Sequence, residues 1–260
     1  MSTNKDNSTL VLFFESLGTH FIFFKDTVKW AFKPPFDWEN LIRQMLEIGY
    51  RSIPVTSITL FFTGMVMALQ IGKAMDSLMS GSSIFIGAAV TISMFRELCP
   101  VLTGLLLAGR VGSAIAAEIG TMKVTEQIDA LRTLSADPVQ YLSVPRFLAC
   151  MVMTPALTVI TDVVGVMGGS VVAFFSLGIT PDMYIENILQ TIVLADFVSG
   201  FLKSFFFGAE IAIISCVSGF MTAGGAEGVG KATIQAVVRS SMVILISDYF
   251  LTYLLQLVDL

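Results

Sequence analysis

Arg96, Glu97, Asp162, Lys203, Glu210 and Asp248 all stand inside stretches of this chain that are otherwise apolar. A charge placed there costs roughly 2.5–3.5 kcal/mol on insertion scales, so it is kept where it has a partner or lines a wet cavity. Neighbours on a helix point about 100° apart, so Arg96 and Glu97 face different surroundings. Lys203 and Glu210 are seven positions apart and share a helix face. Arg96 or Lys203 could therefore pair with Glu97, Glu210 or Asp248. Two readings stay open: ion pairs that only hold helices in register, or the polar lining of a substrate path. The carboxylates also formally admit an intramembrane acid–base enzyme, which nothing else in the sequence favours.

Other chemistries find little support. His20 is the single histidine, so histidine-based triads and metal sites lack their parts, and no catalytic or metal residue is assigned. Cys99, Cys150 and Cys216 are dispersed in apolar stretches and read as packing residues rather than a disulfide framework. The run Gly225-Ala-Glu-Gly-Val-Gly-Lys231-Ala232 nearly spells a phosphate-binding loop. It lacks the Ser or Thr that would hold magnesium, at Ala232, and it lacks a preceding strand. It reads as a flexible turn, and ATP hydrolysis by this chain is not expected.

One polar island, AEIGTMKVTEQIDALRTLSADP from Ala117 to Pro138, breaks the apolar pattern. Val124, Ile128 and Leu131 make a helical stripe, with Lys123, Glu126, Gln127 and Arg132 around it. Ser135 to Pro138 ends the helix, because the residue before proline avoids the α region. A Lys/Arg-rich face would suit lipid anchoring. The mixed charge of this island suits docking to a protein instead.

These residues must be positioned by membrane helices. Apolar types make up 55% of the 260 residues and Asp, Glu, Lys and Arg 13%, about half the roughly 25% of soluble domains; mean hydropathy is +0.81. The chain reads as an all-α integral membrane protein with spans at about 52–73, 83–108, 146–177, 193–220 and 237–258. A kink or tilt is expected in the long third span, near Pro155 or Gly168-Gly169. Residues 1–50 read as interfacial elbow helices: 10–33 is aromatic and broken by charge, and Asp37 can cap a helix whose Trp38, Leu41, Ile42, Met45 and Ile48 share one face. No cleavable signal is expected. A short outer helix is expected at 181–190, and residues 51–260 form the membrane domain.

Lys5, Lys25, Lys29, Lys33, Arg43 and Arg51 precede the first span, and Arg110, Lys123, Arg132, Arg146, Lys231 and Arg239 fall in or beside the other loops of the same side. The positive-inside rule then puts the N-terminus and the polar island in the cytoplasm and the C-terminus outside. Scattered charges summing to −5, with no basic patch, give no sign of nucleic-acid binding. Small residues recur at Gly104, Ala108, Gly112, Ala116 and Gly120, and again at Gly200, Ser204, Gly208 and Ala212. Such stripes let helix backbones approach, within a subunit or between subunits.

Residues 95–149, FRELCPVLTGLLLAGRVGSAIAAEIGTMKVTEQIDALRTLSADPVQYLSVPRFLA, closely resemble the signature region of the MlaE/YrbE family of ABC-transporter permeases. GGAEGVGKATIQAVVRSSMVIL, residues 224–245, resembles that family's C-terminal block. The resemblance covers nearly all of the chain from about Trp38. It implies a homodimer of five-span subunits in the inner membrane of a diderm bacterium. It implies two MlaF-type ATPase subunits that bind the ATP and magnesium, an MlaD-type MCE-domain protein on the periplasmic side, and room for a small MlaB-type STAS protein on the ATPase. The cargo implied is phospholipid moved between inner and outer membrane. Import of sterols or other hydrophobic compounds, and a non-transporting anchor for an MCE protein, are the alternatives. The family's coupling helix maps onto about 118–133, which carries ATPase contact to Glu118, Lys123, Glu126, Gln127 and Asp129. A lipid-path or gating role falls to Arg96, Glu97, Lys203, Glu210 and Asp248.

Overall fold

The computed structural model describes residues 18–34, 37–78 and 85–258. The expected amphipathic segment before residue 18, and the expected start of the second span near Ser83, lie outside them. Among the described residues the regular structure is helical throughout. In chain order the helices are α1 (18–31), α2 (Trp38–Ile48), α3 (Ile53–Leu78), α4 (Ile86–Val124), α5 (Gln127–Thr133), α6 (Val139–Leu177), α7 (Pro181–Thr191), α8 (Leu194–Phe220) and α9 (Gly225–Leu257). Five stretches are long and apolar enough to cross a membrane: α2 with α3 as Trp38–Met75, and α4, α6, α8 and α9. At 1.5 Å per residue even α8, with 27 residues, exceeds the roughly 30 Å hydrocarbon layer.

Several boundaries differ from those read in the sequence. The second long helix does not stop at 108; it runs on through the first half of the polar island to Val124. Helix 118–133 is therefore not one helix. It breaks at Glu126, whose φ of 60° is left-handed. Thr121 and Thr125 donate their hydroxyls to the carbonyls four residues back, Ala117 and Thr121. Such back-bonding bends a helix. Beyond the break the chain is redirected and Ile128 is fully buried.

The glycine-rich run before the last span is likewise not a flexible turn along its length. Only Gly224 and Gly225 take positive φ, and α9 starts at Gly225 rather than near 237. Glu227 sits in the first turn, where the helix dipole favours an acid. It pairs with Lys231 one turn on, at 2.6 Å. In α6 the helix is unbroken through Pro155 and Gly168-Gly169.

The chain divides into two compact units; α4, α6, α8 and α9 contribute to both, and α3 lies within one. One comprises Leu46–Leu107, Met151–Gly208 and Ser241–Leu260. Its core is Leu60, Val90, Met94, Cys99, Val172 and Tyr184, with partly buried Leu98, Leu102 and Val166 packed on it. Helices approach closely there. A Cβ on Gly64 would strike the Gly165 carbonyl, one on Gly168 the Phe61 carbonyl, and one on Gly200 the Phe95 carbonyl. Gly168 is a contact point for α3, and Gly169 faces Tyr184 of α7 and Val90 of α4. The other unit comprises Met1–Met45, Ala108–Cys150 and Ala209–Ser240. There Gly120 meets Thr222, and Gly219 meets Ile119. Gly120 and Gly200, one from each small-residue stripe, thus meet other helices within the chain. Outward faces remain apolar: Val55, Ile58, Phe62 and Val66 on α3, and Ile234, Val238, Met242, Leu245 and Tyr249 on α9, are exposed.

Candidate functional site

The first unit holds a buried ion cluster. Lys203, midway along α8, is 1% exposed. Its ammonium lies 2.8 Å from Glu97 Oε1 on α4 and 3.1 Å from Asp248 Oδ1 on α9. It also donates to the Arg96 carbonyl at 2.9 Å. Pro100 makes that carbonyl accessible, because proline has no N–H to give to the residue four back. Around Arg96 and Glu97 the helix widens into π-type turns at Met94–Leu98, a distortion that often marks functional positions. The Thr252 hydroxyl donates to Glu97 at 3.3 Å and to the Asp248 carbonyl at 2.8 Å. Lys203 thereby draws α4, α8 and α9 together.

Arg96 turns to a different partner, as adjacent helical residues must. Its Nε is 2.8 Å from Asp196 Oδ1. The other Asp196 oxygen accepts the Val193 N–H at 3.1 Å at the start of α8. Arg96, Glu97, Ser93, Ser199 and Thr252 line a cavity of about 220 Å³ beside this cluster. Glu97 is its exposed member, with 43% of its side chain accessible, against 19% for Asp248. Three carboxylates face two cations, so the site is not a bare cationic trap for phosphate. An arriving anion must compete with Glu97 for Lys203.

The sequence reading singled out Arg96, Glu97, Lys203, Glu210 and Asp248 for this role, and the structure gathers all but Glu210. Glu210 lies on α8 seven residues beyond Lys203, about 10 Å along the axis, within the other unit. Asp196 was missed. It stands seven residues before Lys203 and so shares the face read for Lys203 and Glu210; that spacing was the available signal. Asp162 is buried on α6, apart from the Arg96–Asp196 and Lys203 ion pairs.

The second unit holds the displayed segment between α4 and α6. Asp129, on α5, lies between two cations: Lys123 Nζ at 3.4 Å and Arg132 at 3.2 Å. Glu126 and Gln127 are exposed at the turn, and Leu134 beyond α5 is 78% exposed. At the base, Arg146 on α6 is nearly buried and reaches Glu118 Oε2 on α4 at 2.8 Å. The same guanidinium donates to the Leu142 carbonyl at 2.7 Å. Of the five coupling candidates, Glu118, Lys123 and Asp129 thus have ion-pair partners inside the chain, and Glu126 and Gln127 present themselves outward. Asp137 begins α6 by accepting the Val139 N–H at 2.8 Å. Arg146 was not among the candidates; its signal was a lone Arg at the head of a long apolar span.

Outside the spans, Tyr184 on α7 is buried against α4, and desolvation pushes its hydroxyl up to about 12. It is a packing residue.

A family model described as permease MlaE matches residues 41–254. The chain is 46% identical over 245 residues to a probable ABC transporter permease of Rickettsia typhi, covering 94% of each protein. It is 40% identical over 255 residues to a probable ABC transporter permease of Synechocystis, covering 98% of this chain and 96% of that one. A chloroplastic protein of Arabidopsis thaliana named TRIGALACTOSYLDIACYLGLYCEROL 1 is 39% identical over 220 residues, which is 85% of this chain and 62% of the plant protein.

Proposed function

The chain belongs to the MlaE family of ABC-transporter permeases, and from that premise we propose that it moves phospholipid between the inner and outer membranes of a diderm bacterium. A permease of this class implies a partner ATPase, since the chain is the membrane subunit. The working assembly is two copies of this chain, two MlaF-type ATPases that bind ATP and magnesium, and an MlaD-type MCE protein on the periplasmic side. An MlaB-type protein on the ATPase completes it. An odd number of spans together with the Lys and Arg distribution supports a cytoplasmic N-terminus and a periplasmic C-terminus.

The observation that carries this reading is the segment from Lys123 to Leu134. It is exposed, joins two membrane-length helices, and is braced by the Lys123–Asp129–Arg132 pairs so that Glu126 and Gln127 face outward. A braced, mixed-charge projection transmits force better than a loose loop. ATP-driven closure of the ATPase pulls on it, and the pull passes along α4 to the Glu97–Lys203–Asp248 cluster. There the phosphate of a lipid competes with Glu97 for Lys203, and Arg96 and Asp196 hold the neighbouring wall. Phospholipid is favoured as cargo by the family to which the chain belongs, and the cluster's part is to tie α4, α8 and α9 together beside a cavity lined by Arg96 and Glu97. The plant relative carries the name of a galactosylated diacylglycerol, which supports a diacyl lipid as cargo but not its phosphate.

The test is an ATPase and fluorescent-phospholipid transfer assay on the reconstituted complex, comparing the native chain with Glu126→Lys. Loss of ATPase capture, or of lipid-stimulated hydrolysis, is expected. Unchanged assembly with unchanged coupled transfer refutes the docking role.

A further inference from the structure

The chain has two tryptophans. Both line one cavity of about 670 Å³ in the unit that holds the displayed segment. Its walls come from the end of α1 with Trp30 and Lys33, the start of α2 with Trp38 and Leu41, and the start of α6 with Gln140, Tyr141, Val144 and Leu148. The lining is graded. Leu41, Val144, Pro145 and Leu148 make an apolar side, while Lys33, Ser135 and Gln140 make a polar one. Gln140 Nε2 donates to the Lys33 carbonyl at 3.3 Å and so closes the polar rim. The Lys33 ammonium lies 4.6 Å from the centre of the Trp30 ring.

We infer that this cavity is a binding site for one anionic phospholipid of the surrounding leaflet, with its phosphate at Lys33 and its acyl chains along Leu41, Val144 and Leu148. Three observations carry this. Trp and Tyr concentrate where a membrane meets water, because each ring has an apolar body and a polar edge. Here Trp30, Trp38 and Tyr141 surround a single space. Exposed Phe21, Ile22 and Phe24 on α1 and exposed Ile42 and Leu46 on α2 give these two helices an apolar surface that suits the acyl boundary. The volume lies in the range of small-ligand sites, roughly 300–1,000 Å³, whereas a partner helix about 10–12 Å across needs an open groove.

Two carboxylates also line the cavity and oppose an anion. Both are engaged at helix starts: Asp37 Oδ1 accepts the Asn40 N–H at 3.0 Å, and Asp137 Oδ1 accepts the Val139 and Gln140 N–H groups at 2.8 and 3.4 Å. Lys33 is the cation of the lining. The inference rests on the chain spanning a membrane and not on phospholipid being its cargo. Its failure leaves the transport reading untouched.

The tryptophans are the reporters. The full chain is reconstituted in phosphatidylcholine vesicles, and its fluorescence is titrated with phosphatidylglycerol or phosphatidylcholine brominated near the ester end of the acyl chains. One lysine near the surface is worth about 1 kcal/mol toward an anionic lipid, a preference of about fivefold. Quenching by the brominated phosphatidylglycerol at about one fifth the mole fraction is expected, and Lys33→Gln should abolish that preference while leaving quenching by phosphatidylcholine in place. Arg43→Gln, whose side chain pairs with Glu39 and is absent from the cavity lining, should keep it. Equal quenching by the two lipids overturns the site. So does a preference that survives Lys33→Gln. If both tryptophans become inaccessible to either lipid once the MCE partner is bound, the cavity belongs to a partner's membrane segment, and the inference is also overturned.

Discussion

Replacing Lys203 by methionine is the most informative perturbation of the ion cluster. The side chain is buried, and its ammonium is the shared counter-charge of Glu97 and Asp248. Methionine keeps the length and apolar stem, so the change is in charge. It leaves two carboxylates near each other, with Thr252 as a donor to Glu97 alone, since its other bond goes to the Asp248 backbone carbonyl. Removing one partner of a buried pair typically costs about 3–5 kcal/mol, because the charge left behind is uncompensated. Glu97 is partly exposed and can turn to water, which puts the expected cost near about 3 kcal/mol, the lower end of that range. At about 2–4 °C per kcal/mol for a chain of this size, the midpoint of thermal unfolding should fall by roughly 6–12 °C. The measurement is a thermal melt of the purified chain in detergent, with Lys203→Met, Asp248→Asn and the double variant compared. The double variant should recover at least half of the loss, since coupled neighbours are not additive. A single-variant shift below about 2 °C, the scale of a surface substitution, would mean that the ammonium is not compensating buried charge, and the cluster would lose its structural meaning. The three-way geometry also changes what a charge swap should do. Glu97→Lys combined with Lys203→Glu restores one pair but sets a new carboxylate against Asp248, so the swap should fail to recover unless Asp248→Asn is added.

The remaining predictions concern the other contacts. Gly168→Ala places a methyl against the Phe61 carbonyl of α3, which backbone cannot easily yield; a loss of about 1–3 kcal/mol is expected in the same melts, and a neutral result would contradict the close approach of α3 and α6. Glu118→Ala strands the buried Arg146 guanidinium and should destabilise by more than about 1 kcal/mol; capture of the ATPase by the folded fraction should stay at the native level, and a clean loss of capture at native stability would return Glu118 to the docking surface. Glu126→Gly relieves a left-handed residue, worth about 1 kcal/mol. It should raise the melting midpoint while lowering lipid-stimulated ATPase activity, and opposite signs in the two assays are the signature to look for.

The sequence by itself determined the class of the molecule and most of its parts. Length of apolar run is a one-dimensional quantity, so five membrane-length helices could be read directly. The island between Ala117 and Pro138 was legible because polarity against an apolar background is local information. Where its helices begin and end was not. The break at Glu126 goes with hydroxyls turning back on the helix carbonyls and with Ile128 finding a buried place, and α9 starts at Gly225 within a run whose glycines suggested a turn. Charge pairing was the least legible of all. That Lys203 would join Glu97 to Asp248, that Arg96 would turn to Asp196, and that Glu118 would answer to Arg146 follow from which helices lie side by side. Helix packing is fixed by backbone approach at residues such as Gly64, Gly165 and Gly168. A sequence shows which residues are small, but only the folded chain shows which backbone each of them admits, and that approach sets every distance between the charges.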